Sequence, residues 1–284
     1  MTHDAPAVPA ELRAMPKVAL TIAGSDSGGG AGLAADLRTF CALGVFGTLV
    51  VTAVTAQNTV GVRDFLAMTP AMVSAQLDAV LSDMPVLAAK TGMLATSGIV
   101  KLLAGRGAAG KLPPLVIDPV LVSSSGKPMF PGDDVAGAYR ALFAHAAVVT
   151  PNLPEAALLT GRELADLQAM EAAARELHAL GPQLVIIKGG RRRGAEAVDV
   201  AFDGRCVTLL RAPWIDTVNV HGTGCTFSAA IAANLALGLE PLEAAFEAKQ
   251  FVTRAILGGS QWHLGAGHGP LDQLGAAAVQ ARTG

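Results

Sequence analysis

Val18-Ala19-Leu20-Thr21-Ile22-Ala23 runs straight into Gly24-Ser25-Asp26-Ser27-Gly28-Gly29-Gly30-Ala31-Gly32, and apolar residues then recur at helical spacing as Leu33, Leu37 and Phe40. A short apolar run that stops at glycine reads as a strand buried on both faces, as in a parallel sheet. Strand, glycine-rich turn and helix together make the layout of a ligand-binding βα unit. No acidic residue follows at about twenty positions, so this is not a dinucleotide fingerprint, and no Gly-Lys-Ser/Thr closes a Walker-type phosphate loop. Asp26, set between glycines, can hydrogen-bond a substrate hydroxyl or ring amine. An N-cap or Asx-turn role is equally open to it.

Outward from this unit, strand-like and helical stretches alternate. Residues 46–56 are an apolar run rich in Val and Thr, hence a strand, ending in Ala56-Gln57-Asn58-Thr59. Gln57 can donate to and accept from a heterocycle edge together; a turn held by Asn58 is the other reading. Residues 70–81 carry helical spacing, 86–90 form a short strand closed by Thr91-Gly92-Met93-Leu94, and 99–103 continue as helix. Residues 115–120 are a strand with Asp118 near its end, placed to position a magnesium ion through water or to serve a turn before Pro119. Ser123-Ser124-Ser125-Gly126-Lys127 reads as a polar loop able to cover a site. The strand at 147–149 leads into Thr150-Pro151-Asn152-Leu153-Pro154-Glu155. Pro154 suits the first turn of a helix and Glu155 its dipole, while Asn152 and Glu155 can also hold magnesium and its waters. Helical spacing returns at 167–180, and the strand at 184–187 ends in Lys188-Gly189-Gly190. Lys188 is placed for a nucleotide phosphate, or is a solvated turn lysine. Residues 198–202 and 206–210 flank Asp203-Gly204 as a β-hairpin. A last helix covers 241–257, and the glycine-rich 265–270 is a loop near the site or a terminal turn. This alternation argues for one doubly wound α/β domain with a mainly parallel sheet flanked by helices. The polar groups at its strand ends share one sheet edge, where open α/β sheets bind ligands.

The 284 residues are 51% hydrophobic and 15% charged, the composition of a globular chain with a large core. A net charge of −2 asks for neither nucleic acid nor an anionic membrane surface, and the basic cluster Arg191-Arg192-Arg193 is too short for a nucleic-acid stripe. The three cysteines, Cys41, Cys206 and Cys225, are far apart and odd in number, which excludes a disulfide framework or zinc spacing and points to a reducing cytoplasm. Residues 1–16 lack the apolar core of a signal peptide and read as a flexible arm before a domain over 17–284. No run reaches the ~18 apolar residues of a membrane span.

The second decisive stretch is Val220-His221-Gly222-Thr223-Gly224-Cys225-Thr226, followed at once by a helical pattern through Phe227, Ile231 and Leu235. A helix starting at such a turn aims free N–H groups and the positive end of its dipole forward, which suits a phosphate. Thr223 and Thr226 can add hydroxyl donors. Cys225 falls in the first turn, where a thiol is expected to ionise more easily.

Taken in order, these pieces resemble the hydroxymethylpyrimidine/phosphomethylpyrimidine kinases of thiamine biosynthesis, within the ribokinase-like superfamily. The resemblance runs from about Ala19 to Leu271 and includes Gly24-Ser25-Asp26, Gln57, Lys90-Thr91-Gly92-Met93-Leu94, Asp118-Pro119, Asn152-Leu153-Pro154-Glu155, Lys188-Gly189-Gly190 and His221-Gly222-Thr223-Gly224-Cys225. Sugar kinases resemble it but carry aspartate at the position of Cys225. The resemblance implies a single ribokinase-like domain, a homodimer, and transfer of phosphoryl from ATP with Mg2+. The acceptor is the hydroxymethyl group of 4-amino-5-hydroxymethyl-2-methylpyrimidine, and then its monophosphate. It implies that Gly222, Thr223, Gly224 and Cys225 surround the transferring phosphoryl, with Cys225 as base. Gly24, Asp26, Gln57 and Met93 would face the pyrimidine. Lys188, Asn152 and Thr217 or Thr223 would meet ATP, and Glu155 and Asp118 the metal. Two departures, Ala34 where the family commonly has Gln and Gln273 where it often has His, lie outside the core motifs. The alternatives are a pyridoxal kinase of the same branch and a non-catalytic pyrimidine-binding sensor.

Overall fold

Alternate residues of the central strands face two different helical layers. In the computed structural model, which describes residues 15–121, 135–190 and 196–276, Leu20 and Ile22 of β1 (Val18–Gly24) join one buried core and Ala19 the other. The same split separates Leu115 and Ile117 from Val116 in β5 (Leu115–Ile117), and Val185 and Ile187 from Leu184 and Ile186 in β7 (Leu184–Ile187). Strands apolar at every position are what a sheet covered on both faces requires.

The described strands form one sheet ordered β3-β2-β1-β4-β5-β6-β7-β8-β9. Besides those above they are β2 (Phe46–Asn58), β3 (Gly61–Ala67), β4 (Val86–Thr91), β6 (Val148–Val149), β8 (Glu196–Phe202) and β9 (Val207–Pro213). From β2 to β7 all pairings are parallel; β3, β8 and β9 join antiparallel at the two ends. One core lies under α2 (Pro70–Leu81), α3 (Ser97–Ala108), α4 (Val135–Phe143), α5 (Leu153–Thr160) and α6 (Leu167–His178). The other lies under α1 (Gly32–Ala42), α7 (Thr223–Ala236) and α8 (Pro241–Gly259). Ala229, Ala230, Ala232 and Ala233 of α7 are all 0% exposed, because small side chains let α7 nest between the sheet, α1 and α8.

The chain crosses from β1 to β2 on one side and to β4 on the other, so the order reverses at β1. A crevice opens beyond the strand ends at such a switch point, and there the first glycine loop and Gly92-Met93 emerge. Two elements go beyond the expectations. β2 continues to Asn58 and turns back into β3, with Asn58 Oδ1 accepting from Val60 N at 3.0 Å and Gly61 N at 3.3 Å. Helix α4 has no counterpart in the sequence reading. The expected Ser123–Lys127 loop, the Arg191–Arg193 cluster and nearly all of the 1–16 arm lie outside the described residues.

Candidate active site

Every residue expected at the site except Thr217 lines one cavity of about 630 Å³ at the C-terminal edge of the sheet. Its roof is the start of α7. The N-cap, Gly222, has φ 89° and offers no side-chain cap; Thr223 N donates back to Val220 O at 3.2 Å, which leaves the Gly224 and Cys225 N–H groups of the first turn for a ligand. A Cβ at Gly222 would collide with the Gly30 carbonyl oxygen, so the two glycine loops interlock only because this position is glycine.

The strand ends supply the walls. Asp118 Oδ1 accepts from Lys188 Nζ at 2.6 Å, and Asp118 Oδ2 lies 3.4 Å from the Ser228 hydroxyl. Lys188 reaches the roof: its Nζ is 3.2 Å from where a Cβ of Gly224 would stand. Burial opposes the charge on Lys188, but Asp118 and Glu155 outweigh it and raise its pKa, so the ammonium is permanent. Lys188 is therefore a paired cation at a cavity rather than a solvated turn residue. Asn152 and Glu155 form a capping box, with Glu155 N donating to Asn152 Oδ1 at 2.9 Å and Asn152 N to Glu155 Oε2 at 2.8 Å. Burial, helped by the Asp118 carboxylate and opposed by Lys188, lifts Glu155 to about 7.

On the opposite wall Asp26 forms the Asx-turn that the sequence left open. Its Oδ1 accepts from Gly28 N at 2.9 Å; its Oδ2 accepts from Ala31 N at 2.8 Å and lies 2.8 Å from His221 Nε2. Burial works to raise its pKa, but His221 and the two backbone N–H groups prevail and hold it below the ordinary carboxylate value. Gln57 stands beside it, 3.3 Å from the same His221 nitrogen.

Two expectations are corrected. Burial pushes the Cys225 thiol up to about 11, against the pull of the Lys90 ammonium and the Gly32 N–H. Position in a first turn signals a favourable dipole but not depth, and here depth wins. Thr217 lines neither this cavity nor its neighbour. Its hydroxyl donates to Ser260 O at 3.1 Å and accepts from Asn219 N at 3.1 Å, tying its loop to the end of α8.

The sequence reading gave no role to His221 or His268, both of which line the cavity. The 265–270 loop does belong to the site, since Gly269 O accepts from His221 N at 3.0 Å. Of the two departures, Gln273 is buried and donates from Nε2 to Thr226 Oγ1 at 3.1 Å, on the first turn of α7.

A second cavity of about 400 Å³ adjoins the first and shares Asn152, Lys188, Val220, Thr223 and Gly224 with it. Its far wall is apolar, with Trp214, Phe227, Val252 and Ile256, and it also carries the Lys249–Asp199 pair at 2.7 Å. Among the described residues no group of three or more His, Cys, Asp or Glu could hold a metal by itself, and no helix is long and apolar enough to cross a membrane.

A doubly wound sheet whose edge presents an uncapped helix start and a lysine between two joined cavities defines a ribokinase-like phosphotransferase. The match to known proteins is narrower. The phosphomethylpyrimidine kinase family model covers residues 26–272, and the chain belongs to that family. The hydroxymethylpyrimidine/phosphomethylpyrimidine kinase of Rhizobium meliloti (strain 1021) is 48% identical over 259 residues, 90% of this chain and 97% of that relative. Among solved structures, the ADP complex of Bacillus subtilis pyridoxal kinase has a TM-score of 0.83 at 39% identity, covering 94% of this chain and 100% of that one. Phosphomethylpyrimidine kinase from Clostridium difficile 630 has a TM-score of 0.74 at 37% identity, covering 84% and 99%.

Proposed function

We propose that this chain phosphorylates 4-amino-5-hydroxymethyl-2-methylpyrimidine on its hydroxymethyl oxygen, using ATP, and then converts the monophosphate to the diphosphate for thiamine biosynthesis. The observation that carries the proposal is the open start of α7, with Lys188 beneath it, at the junction of the two cavities. A molecule with an apolar ring at one end and a phosphate chain fits the second cavity up to that junction. Its adenine would lie against Trp214, Phe227, Val252 and Ile256, a contact set the motifs do not reveal. The pyrimidine would fill the first cavity between Asp26, Gln57, Gly24 and Met93.

Phosphoryl transfer depends mainly on alignment and on stabilising spread negative charge. Gly222, Gly224 and Cys225 aim backbone N–H groups at the transferring group, Thr223 borders it with its own N–H and hydroxyl turned to Val220 O at 3.2 and 2.7 Å, and Lys188 adds a fixed charge. ATP would supply the phosphoryl, and magnesium, when bound, would supply charge neutralisation at its oxygens. Asp118 and Glu155 would hold that ion beside Asn152. Asp118 Oδ2 suits the task, because its 3.4 Å contact with Ser228 is too long for a strong hydrogen bond. Two carboxylates leave the other ligand positions to phosphate and water, the usual arrangement for magnesium. The thiolate form of Cys225, a minor fraction at neutral pH given a thiol held at about 11, takes the proton of the alcohol as its oxygen forms the new bond to phosphorus. The monophosphate brings an oxygen that is already anionic, so the second transfer needs no base.

Cys225→Ala tests this directly. Phosphorylation of the alcohol falls ~10²–10⁴-fold and that of the monophosphate falls less; normal turnover on the alcohol removes Cys225 as base. The likeness to a pyridoxal kinase fold supports a second reading, and catalytic efficiency on pyridoxal against the pyrimidine alcohol decides between them. ADP release in the same assay excludes a binding-only sensor.

A homodimer fits the outer end of the sheet, where Val54 of β2, Val60 of the turn and Leu66 of the edge strand β3 are 50%, 71% and 69% exposed. Leu66→Asp is expected to lower the sedimenting mass. Exposed, unpaired Cys41 and Cys206 suit a reducing cytoplasm.

A further inference from the structure

We infer that His221 is a positioning residue for the acceptor. With its Nε2 hydrogen directed at Asp26, it turns the Gln57 amide so that the NH2 group faces the larger cavity as a donor. The inference rests on the proposed placement of the pyrimidine against Gln57.

Three polar groups converge on one nitrogen. His221 Nε2 lies 2.8 Å from Asp26 Oδ2 and 3.3 Å from the Gln57 side-chain nitrogen. An ionised carboxylate can only accept, and Asp26 is held in that form by the two backbone N–H groups it already engages. A bare imidazole nitrogen at 2.8 Å would set its lone pair against those of the carboxylate. Nε2 therefore carries a hydrogen, whatever the charge on the ring. That N–H cannot accept from the Gln57 NH2. The two ends of an amide exchange by a half-turn about one bond, and the end that satisfies an N–H donor is the oxygen. The Gln57 oxygen thus takes the longer arm of a shared hydrogen bond, and its NH2 swings toward the cavity.

Neither partner can step aside. The His221 ring packs against Gly30, where a Cβ would collide with Cδ2. Its main chain is tied by the 3.0 Å bond from His221 N to Gly269 O. Gln57 is clamped by Ser27, whose Oγ accepts from Gln57 N at 2.8 Å and donates to Gln57 O at 2.6 Å. The His221–Asp26 contact is sheltered from water, with the His221 side chain 12% exposed and that of Asp26 1%. The acceptor this arrangement selects is a heterocycle presenting an unprotonated ring nitrogen to Gln57.

The test combines ¹⁵N NMR of the full chain, labelled on the histidine rings, with steady-state kinetics. In the wild type without ligands, the His221 signal, assigned by its loss in His221→Asn, should show a protonated Nε2. In Asp26→Asn the amide oxygen stays toward Ala31 N and Nε2, but as a neutral, weaker acceptor it no longer fixes the ring hydrogen on Nε2, so Gln57 is free to turn over. The KM for the pyrimidine alcohol then rises about ten-fold, the worth of one hydrogen bond, with the KM for ATP unchanged. Gln57→Glu, which leaves His221 in place but can only accept, gives a similar rise and covers the case in which Asp26→Asn does not fold. A bare Nε2 in the wild type overturns the inference whatever the kinetics show. A protonated Nε2 with an unchanged alcohol KM in Gln57→Glu means that the pyrimidine does not lie at Gln57. That result sinks the proposed subsite, and the donor role with it.

Discussion

Two lysine–aspartate pairs flank Cys225, and they differ in what they leave over. Lys90 meets Asp36 at 2.8 Å with both side chains 0% exposed, whereas Lys188 meets Asp118 at 2.6 Å with the lysine 16% exposed. The first pair is closed. Lys90 Nζ donates to both Asp36 oxygens and the Thr21 hydroxyl adds a bond at 2.6 Å, so no carboxylate oxygen remains for a ligand. The second pair is open, with Asp118 Oδ2 only loosely held by Ser228 and Lys188 facing the start of α7. Sealed ion pairs add little net stability, yet removing one partner strands a charge in the interior. Spare bonding capacity at a cavity, rather than buried charge as such, separates the functional pair from the structural one.

The largest expected effect comes from breaking the closed pair. Lys90→Met strands the Asp36 carboxylate and should cost ~3–5 kcal/mol in denaturant unfolding. Adding Asp36→Leu and Thr21→Val removes the stranded groups and should restore most of that loss. Lys188→Met should reverse the pattern. Turnover on the alcohol falls ~10²–10³-fold, as for loss of one preorganised charge-stabilising group, with a smaller stability loss than Lys90→Met. Equal stability losses in the two variants would erase the distinction between the pairs.

The contrast also shows what the sequence could reveal. The glycine loops and the start of α7 were legible because a strand, a glycine cluster and a helical period are local signals. β3 was not, since Arg63, Asp64, Phe65 and Leu66 are all exposed and leave no alternation of buried and exposed positions. The inward bonds of Thr217 have no local signal, because its partner, Ser260, lies 43 residues away. The Asp26–His221 contact spans 195 residues and has no local signature. The depth of Cys225 depends on how tightly α7 packs against α1 and the sheet, which no spacing rule reports.

Cys225 feels charge from both pairs: Lys90 pulls its thiol down, while Asp36 and Asp118 push it up. With burial holding it at about 11 instead of 9.0, alkylation at neutral pH should be about a hundred-fold slower than for an ordinary thiol. A Cys41→Ser, Cys206→Ser background isolates the signal, and the rate should climb until the pH reaches about 11. The linkage has a definite sign. A thiol that ionises less readily in the fold contributes stability that is full below 9.0 and is lost as the pH rises toward 11. Adding Lys90→Met removes the downward pull and should slow alkylation further. Faster alkylation in that variant would mean that the closed pair does not reach the thiol.

The smallest effect tests the boundary of the open site. Thr217 sits just before the 220–226 loop, so position alone suggests a phosphate contact, yet both of its side-chain bonds point into the protein. Thr217→Val keeps the shape and deletes those bonds, which should cost ~0.5–1.5 kcal/mol of stability. Because Asn219 also anchors the loop, donating from Nδ2 to Gly259 O at 2.9 Å and to Trp262 O at 2.8 Å, the start of α7 stays in place. The KM for ATP should therefore remain that of the wild type. A selective rise in that KM, with stability unchanged, would move Thr217 into the nucleotide site and extend the open region beyond Lys188 and Asp118.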